Sequence, residues 1–277
     1  MGGFQKPSNV WTVEVQKIMG CRSLTELGLQ KPSIFGAAEA KQSLGHRSLA
    51  MARQQKPSNG MGLFRSRSSN LLACLEDWTK ALDDGKDVDV IYLDMAKAFD
   101  SVPHERLLCK LEALGIRGEV LRWIKDFLIG RRQRVCVKGS QSDWALVKSG
   151  VPQGSVLGPI LFVAYINDLP DVVSSASICK MYADDTKVYA AIDLSDNRIS
   201  LQKDLHNLVD WADRWQLKYY ADKCRVLRIG NKREKFTYEM REHGSNNVTV
   251  LNRSVLEKDL GVNVDSELRF SRHIEIQ

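Results

Sequence analysis

The sequence lacks the cysteine patterns that accompany structural zinc sites and disulfide frameworks. Its six cysteines are scattered singly, with no Cys-x-x-Cys pair and no Cys/His cluster. Such spacing provides neither a tetrahedral zinc ligand set nor a disulfide scaffold. We therefore expect reduced thiols in an intracellular protein, with nucleus and cytoplasm left open.

Long apolar runs are also missing. No stretch of 18 apolar residues occurs, and the first residues contain no apolar signal core. A membrane-spanning helix needs about 20 predominantly apolar residues. We therefore expect no membrane partner and no signal peptide.

Charge is distributed unevenly along the 277 residues. The formal net charge is +6, but residues 1–70 hold ten Lys or Arg and three Asp or Glu, a net of +7. The remaining chain therefore nets −1, and overall basicity does not show that the core binds nucleic acid. Local basic clusters at 131–134 and 214–235 suit phosphate contacts, or else form solvated faces.

The first sixty residues contain a tandem repeat with a period of 25 residues. The tetrapeptide Gln-Lys-Pro-Ser occurs at positions 5–8, 30–33 and 55–58. Each copy has few aliphatic residues, so a stacked solenoid core is not expected. We interpret residues 1–60 as a disordered basic leader and residues 61–277 as the folded region.

A pair of adjacent acidic residues is the most informative motif. Asp184 and Asp185 follow Tyr182-Ala183, and both flanks alternate and carry β-branched or aromatic residues. This pattern predicts a hairpin with the two carboxylates at its turn, where they could hold a divalent metal. By itself the motif is weak, because Asp is common in turns for conformational reasons.

Two further segments change its interpretation. Residues 88–95 form an apolar run typical of a strand buried on both faces, with Asp94 near its end. Residues 149–159 form a Gly/Pro-punctuated loop that precedes an apolar helix. A strand-end Asp, a Gly-rich loop and an Asp-Asp hairpin, in this order, predict a site for two metals and a polyphosphate.

The periodicity predicts the remaining elements. Helices are expected at 69–82, 103–114, around 121–128, at 158–168 and from 201 to 215. Strands are expected at 133–138, 144–148, 177–182, 186–192 and 224–229, with a terminal β region at 236–242, 248–252 and 258–264.

Taken together, these motifs resemble the reverse transcriptase domain of non-LTR (LINE-type) retrotransposons. The matching segments are 92–104, 149–162, 166–170, 182–185, 215–224 and 258–262, within a resemblance that runs from about Gly62 to near the C-terminus. The resemblance implies an α+β fold, the palm of a right-hand polymerase, in which helices back an antiparallel sheet. It also implies partial fingers and no complete thumb.

The resemblance implies an RNA-directed DNA polymerase that extends a DNA primer on an RNA template with dNTPs. Its cofactor would be Mg²⁺, with Mn²⁺ as an alternative, held mainly by Asp94 and Asp184 with support from Asp185. The adjacent carboxylates should repel each other without metal, which raises one pKa. Lys223 matches a lysine that protonates pyrophosphate, although a solvated lysine is the competing interpretation.

Further matching positions bind the nucleotide. Phe99 would lie under the sugar and exclude a 2′-hydroxyl, with a core phenylalanine as the alternative. Gln153 and Gly154 would contact nucleotide and template, or else form only a turn. Arg65 and Arg67 match a fingers region that grips the triphosphate.

The last matching block, Leu260-Gly261, would position the primer end, with a plain hairpin turn as the alternative. Three departures weaken the expectation of activity: the repeat replaces a fingers segment, Tyr220 stands where the family often has asparagine, and the chain ends before a thumb bundle. We therefore expect little processive synthesis unless an unknown partner supplies the missing subdomains. The alternatives are an inactive remnant that at most binds nucleic acid and an RNA-templated RNA polymerase, which Phe99 disfavours.

Overall fold

The structure is a computed structural model that describes residues 66–230, 236–244 and 247–270. The predicted leader, residues 1–60, lies outside the described residues. The helices are α1 Arg67–Asp83, α2 Ala98–Ser101, α3 His104–Ala113, α4 Gly118–Leu128, α5 Leu157–Ile166 and α6 Ser195–Arg214, with a 3-10 turn at Leu169–Val172. The strands are β1 Asp87–Leu93, β2 Arg132–Gln133, β3 Cys136–Val137, β4 Ser140–Gln141, β5 Ala145–Leu146, β6 Ile178–Tyr182, β7 Asp185–Ile192, β8 Arg225–Ile229, β9 Glu239–Arg241, β10 Val248–Val250, β11 Asn252–Ser254, β12 Leu256–Asp259 and β13 Val262–Asp265.

The described chain divides into two compact units. One unit comprises residues 104–148, and the other comprises the described residues of 66–103 and of 149–270. The larger unit contains the main sheet and all the predicted metal ligands. The smaller unit contains α3, α4 and the short strands β2–β5.

A five-stranded sheet organises the larger unit. Its strand order is β11-β8-β1-β7-β6, and all neighbours are antiparallel except β11 and β8, which are parallel. The central strand β1 is buried at six of its seven positions, as its apolar sequence predicts. This confirms the predicted antiparallel sheet backed by helices and adds one parallel edge strand.

One face of the sheet packs against α1. The core there combines α1 side chains with alternate residues of three strands, among them Trp78, Val90, Tyr189 and Leu227. Trp78 and Tyr189 meet edge to face with ring centroids 5.7 Å apart, a favoured aromatic geometry. Helix α1 begins at a capped end, since Ser66 Oγ accepts a hydrogen bond from the Ser69 amide at 3.1 Å.

The opposite face carries a buried charge cluster that joins α6 to the sheet. Asp89 of β1 is fully buried and accepts hydrogen bonds from Arg198 Nε at 2.9 Å, Arg228 Nε at 2.8 Å and the Tyr238 hydroxyl at 2.8 Å. Removing one partner of a buried ion pair costs about 3–5 kcal/mol. This cluster therefore fixes α6 and the segment around Tyr238 against β1.

Most predicted elements are confirmed, with shifted boundaries. The hairpin strands at 178–182 and 185–192 and the helix at 67–83 lie within two residues of prediction. The long helix begins at residue 195, six residues before its predicted apolar pattern. The predicted strands 133–138 and 144–148 appear as the two-residue strands β2, β3 and β5, and the short strand β4 between them was not predicted. Within the described residues, no helix is long and apolar enough to cross a membrane.

Candidate active site

The Asp-Asp hairpin forms as the sequence predicts. Tyr182, the last residue of β6, pairs with Asp185, the first residue of β7, so Ala183 and Asp184 make a two-residue loop. Ala183 has a left-handed backbone with φ of 53°, a conformation that costs a residue with a Cβ about 1–3 kcal/mol. The loop therefore holds the two carboxylates at the end of the hairpin under backbone strain.

Asp94 lies immediately after β1 and is fixed by the segment that follows α6. The Asp94 carbonyl accepts a hydrogen bond from the Tyr220 amide at 2.9 Å, and the Asp94 amide lies 3.5 Å from Cys224 Sγ. The next amide, of Ala96, donates to the Lys218 carbonyl at 2.7 Å. This short antiparallel pairing holds the backbone of Asp94 on both sides.

Asp94 and Asp185 line one cleft in the larger unit. The lining residues are Asn70, Tyr92, Leu93, Asp94, Lys180, Met181, Tyr182, Asp185, Thr186, Lys187, Lys223, Glu257, Lys258, Asp259 and Leu260. Four sequence-predicted site residues therefore meet here, from four separate segments: Asp94, Asp185, Lys223 and Leu260. Asp184, predicted as a main ligand, lies in the adjoining loop, and Phe99, Gln153 and Gly154 are not among the lining residues.

The electrostatic environment of Asp185 favours a bound cation. Its pKa is raised chiefly by loss of water in the cleft, and then by repulsion from Asp184 and Asp259. Lys187 and Arg67 oppose the shift of this pKa only in part. A divalent cation would offset the same desolvation and repulsion, because it stabilises the charged carboxylates.

Lys223 reaches the cleft over an aromatic ring. Its ammonium nitrogen lies 4.7 Å from the centre of the Tyr220 ring, which is 42 % exposed. A cation over an aromatic face is attracted by the ring quadrupole. Tyr220 thus gives Lys223 a defined position in the cleft that Asp94 also lines.

Arg67 lies on the first turn of α1, close to the hairpin. Its guanidinium carbon is 5.5 Å from the centre of the Tyr182 ring, and its charge lowers the pKa of Asp185. Arg67, which was predicted to contact the triphosphate, thus places a positive charge close to the carboxylates. Arg65, the second predicted contact, lies outside the described residues.

The ring of Phe99 packs against a second aromatic ring. It stacks on the ring of buried Phe162 with centroids 4.3 Å apart and an interplanar angle of 21°. The Phe99 carbonyl accepts a hydrogen bond from the Val151 amide at 2.8 Å. Since Phe99 remains partly exposed, its free edge is available to a ligand.

The Gly/Pro loop packs on α2, the short helix after β1. Gln153 Nε2 donates to Asp100 Oδ1 at 3.2 Å, and Ser149 Oγ donates to the Asp100 carbonyl at 2.8 Å. Gly150 has φ of 90°, and an added Cβ would lie 2.7 Å from the Cα of Asp100. Gly154 also has a positive φ, of 78°, but faces open space. Glycine is therefore required at 150 for close approach as well as for conformation, and at 154 for conformation.

The predicted primer-positioning block is a tight hairpin turn. Asp259 pairs with Val262, and Leu260 and Gly261 between them have φ of 49° and 97°, as in a type I′ turn. The segment therefore has the shape of a plain hairpin turn, which is the alternative interpretation from the sequence. Leu260 also lines the same cleft as Asp94, and this location is compatible with the predicted primer-positioning role.

A buried cluster that sequence reasoning missed anchors this hairpin to the sheet. Asp259 Oδ2 accepts from Lys187 Nζ at 2.5 Å and from the Tyr92 hydroxyl at 3.3 Å. Burial raises the pKa of Tyr92 well above its usual value, so the phenol stays a donor. The sequence offered one clue that Lys187 belongs to the site: it lies two residues after Asp185, so both side chains lie on one face of β7.

The residues of the cleft are suitable for a magnesium ion in donor type. Asp94 and Asp185 provide hard carboxylate oxygens, and Mg²⁺ commonly takes one or two carboxylates while keeping several waters. Among the described residues, no group of three or more His, Cys, Asp or Glu is arranged to hold a metal by itself. Water and other oxygen ligands would therefore complete the coordination.

Comparison with protein families identifies the chain. A family model described as reverse transcriptase (RNA-dependent DNA polymerase) matches residues 49–251. The chain belongs to the reverse transcriptase family. This match covers the candidate ligands, the Gly/Pro loop and Lys223, and it begins within the predicted leader.

Curated relatives show which reverse transcriptases are similar. The RNA-directed DNA polymerase from mobile element jockey of Drosophila funebris is 32% identical over 195 residues, which are 66% of this chain and 20% of that protein. The probable RNA-directed DNA polymerase from transposon BS of Drosophila melanogaster is 30% identical over 207 residues, 71% of this chain and 22% of that protein. The resemblance to non-LTR retrotransposon enzymes is thus confirmed, and the chain spans about a fifth of the length of these relatives.

Solved structures show the same fold at low sequence identity. Telomerase from Candida tropicalis in complex with a fragment of telomeric RNA has a TM-score of 0.51 at 11% identity, covering 73% of this chain and 36% of that one. Telomerase from Candida albicans has a TM-score of 0.50 at 14% identity, covering 78% and 36%. The polymerase palm expected from the sequence is confirmed by these two likenesses.

Proposed function

We propose that this reverse transcriptase domain transfers the nucleotide of a dNTP to the 3′-hydroxyl of a DNA primer paired with an RNA template. The observation that carries the proposal is the meeting of Asp94, Asp185 and Lys223 in one cleft. Mg²⁺ bound there would supply charge neutralisation for the phosphates and activate the primer hydroxyl. Asp94, Asp185 and the adjoining Asp184 would hold it.

The chain's own residues have distinct roles in this proposal. Arg67 lies where a triphosphate beside the carboxylates would need a counter-charge, since it already interacts with Asp185. Lys223 can donate a proton to the leaving pyrophosphate from its position over Tyr220. General-acid catalysis contributes about 10²–10⁴-fold, so we expect Lys223→Gln to lower kcat by roughly that factor.

Phe99 would select the sugar. A ring supported from below by Phe162 cannot move away from a 2′-hydroxyl without losing its stacking. We expect Phe99→Val to raise incorporation of ribonucleotides relative to deoxynucleotides. The measurement is the ratio of kcat/KM for the two sugars, and an unchanged ratio would remove Phe99 from this role.

The decisive experiment is primer extension on an RNA template with dNTPs and Mg²⁺ or Mn²⁺. Asp184→Asn should abolish extension, whereas Asp83→Asn, an exposed acid at the end of α1, should leave it unchanged. The proposed site would be established if the parent extends the primer, Asp184→Asn abolishes this extension and Asp83→Asn does not. A folded parent without extension would support the alternative of an inactive remnant.

A further inference from the structure

Residues 131–148 of the smaller unit form an exposed two-stranded arm. β2 pairs with β5 and β3 with β4, and the Val147 amide donates to the Arg131 carbonyl at 2.9 Å. The tip is a tight turn in which Lys138 and Gly139 both have positive φ, 48° and 86°. Every residue from 132 to 146 is exposed, so neither face of the arm is covered by a core.

The pairing of the two strands contains a bulge, and this bulge determines which side chains share a face of the arm. Arg132 pairs with Leu146, whereas Cys136 pairs with Gln141, so the sum of paired numbers drops by one along the arm. Asp143 is the extra residue, because Val135 already bonds Ser142 through both backbone and side chain.

The bulge gives the arm two different faces. Alternation on either side of it places four large side chains on the first face: Arg132, Arg134, Trp144 and Leu146. The second face carries small or uncharged residues: Gln133, Val135, Val137, Ser140, Ser142 and Ala145. The contact between Arg134 and Trp144, 4.6 Å from guanidinium carbon to ring centre, agrees with this assignment.

The charge of the arm is strongly one-sided. Residues 131–148 contain five Lys or Arg and one Asp, a net charge of +4. Among the described residues, no carboxylate pairs with Arg132, Arg134, Lys138 or Lys148 at ion-pair distance. These cations are therefore available to an anionic partner.

We propose that the first face of the arm, Arg132, Arg134, Trp144 and Leu146, binds single-stranded nucleic acid. Trp144 is 57 % exposed and offers a flat ring on which a base can stack. The guanidinium groups beside it would contact the flanking phosphates, and Arg134 would remain over the indole. Single strands fit better than duplex, because an indole stacks on a base only where that base is not already stacked within a helix.

This surface goes beyond the proposed polymerase function. None of its residues lines the cleft of Asp94 and Asp185. Binding at the arm would therefore persist in a chain whose carboxylate site is inactive. Phosphate contacts made here would add to the affinity for a template strand without taking part in the chemistry.

The test is the affinity of the full chain for a fluorescein-labelled single-stranded oligoribonucleotide of about 15 nucleotides, measured by fluorescence anisotropy. We expect Trp144→Ala to weaken binding about 5- to 150-fold, the effect of losing one base stack. Trp144→Phe should restore most of that loss. Arg132→Gln with Arg134→Gln should reduce the slope of log affinity against log salt by about 1.4.

Matched controls separate this surface from general basicity. Val135→Ser changes the second face of the same arm, and Lys203→Gln removes an exposed charge from α6 in the other unit. Neither should change affinity more than about twofold, and the basic leader is constant in all variants. The proposal fails if Trp144→Ala binds like the parent, or if Lys203→Gln weakens binding as much as Arg132→Gln with Arg134→Gln does.

Two further outcomes are distinguishable. Asp184→Asn should abolish extension and leave oligoribonucleotide affinity unchanged, so failure of the polymerase proposal would not resemble failure of this one. Self-association of the chain that Trp144→Ala abolishes, with unchanged RNA affinity, would overturn the proposal and make the arm a contact between copies of the chain.

Discussion

The buried ion pair between Lys187 and Asp259 should stabilise the larger unit measurably. The two side chains are 6 % and 5 % exposed, and 2.5 Å separates Nζ from Oδ2. Lys187→Met preserves the length of the side chain and removes its charge. Among the described residues, the buried carboxylate of Asp259 would then keep only the Tyr92 hydroxyl, 3.3 Å away, as a hydrogen-bond partner.

The expected magnitude follows from what each substitution leaves behind. An uncompensated buried charge costs about 3–5 kcal/mol, and the hydrogen bond from Tyr92 offsets about 1 kcal/mol. Lys187→Met should therefore lose about 2–4 kcal/mol, a large part of a typical stability of about 5–15 kcal/mol. Lys187→Met with Asp259→Leu removes both charges, so its stability should lie within about 1–2 kcal/mol of the parent.

The assay is urea unfolding followed by tryptophan fluorescence, to which Trp78 contributes, with its ring centre 5.9 Å from Lys187 Nζ. Lys180 is the matched control, because it lies directly opposite Lys187 in the β6–β7 pairing and forms no ion pair with a carboxylate of the described residues. Lys180→Met should change stability by less than about 0.5 kcal/mol. Equal losses for Lys180→Met and Lys187→Met, or a double variant as unstable as both single losses added together, would refute the reasoning.

Three other perturbations test the fold around the site. Gly150→Ala should lose about 2–4 kcal/mol in urea unfolding, because a left-handed φ and a Cβ 2.7 Å from the backbone of α2 both oppose it; parent-like stability would contradict this. Tyr238→Phe should lose about 1.5–3 kcal/mol, the value of a hydrogen bond to the charged Asp89, and a loss below about 0.5 kcal/mol would argue against that bond. With iodoacetamide at about pH 8, peptide mapping should find the exposed Cys109 alkylated before Cys179, since burial raises the pKa of Cys179 to about 12 and keeps its thiol protonated; equal rates for the two would show that Cys179 is accessible.

Local pattern predicted the centre of the fold better than its edges. The apolar run of β1 and the alternation around the Asp-Asp turn identified both strands of the site. Helix α6 begins six residues earlier than predicted. The prediction missed this first part because residues 195–200 lack apolar periodicity. The start of α6 depends instead on Asn197, whose side chain accepts a hydrogen bond from the Leu194 amide at 2.9 Å.

The edge of the sheet shows why short polar strands escape prediction. Residues 248–252 were expected to form one strand, but the chain divides there into β10 and β11, on either side of Leu251. The Leu251 amide bonds the Tyr238 carbonyl at 2.8 Å, after which β11 runs parallel to β8. Strand β11 is exposed or only partly buried, so its sequence carries no alternation to reveal its pairing.

The motifs predicted four residues of the cleft, but not the side chains that support it. These four are Asp94, Asp185, Lys223 and Leu260. The prediction gave Asp184 precedence over Asp185, whereas Asp185 is the one that lines the cleft. The contact of Lys187 with Asp259 spans 72 residues of sequence, and no local pattern encodes a pairing of that range. Side chains that hold the elements of the candidate site in place are therefore found only once the strands are paired.

Strand β1 is the common support of the site, and its register determines what the site contains. Pairing of Tyr92 with Lys187 places both on the face where Asp259 enters. A slip of one residue between β1 and β7 would turn Lys187 away from Tyr92 and move buried apolar side chains of β7 to the wrong face. The apolar residues that bury β1 on both faces therefore also fix where the carboxylates lie, although none of them contacts a substrate in the proposed mechanism.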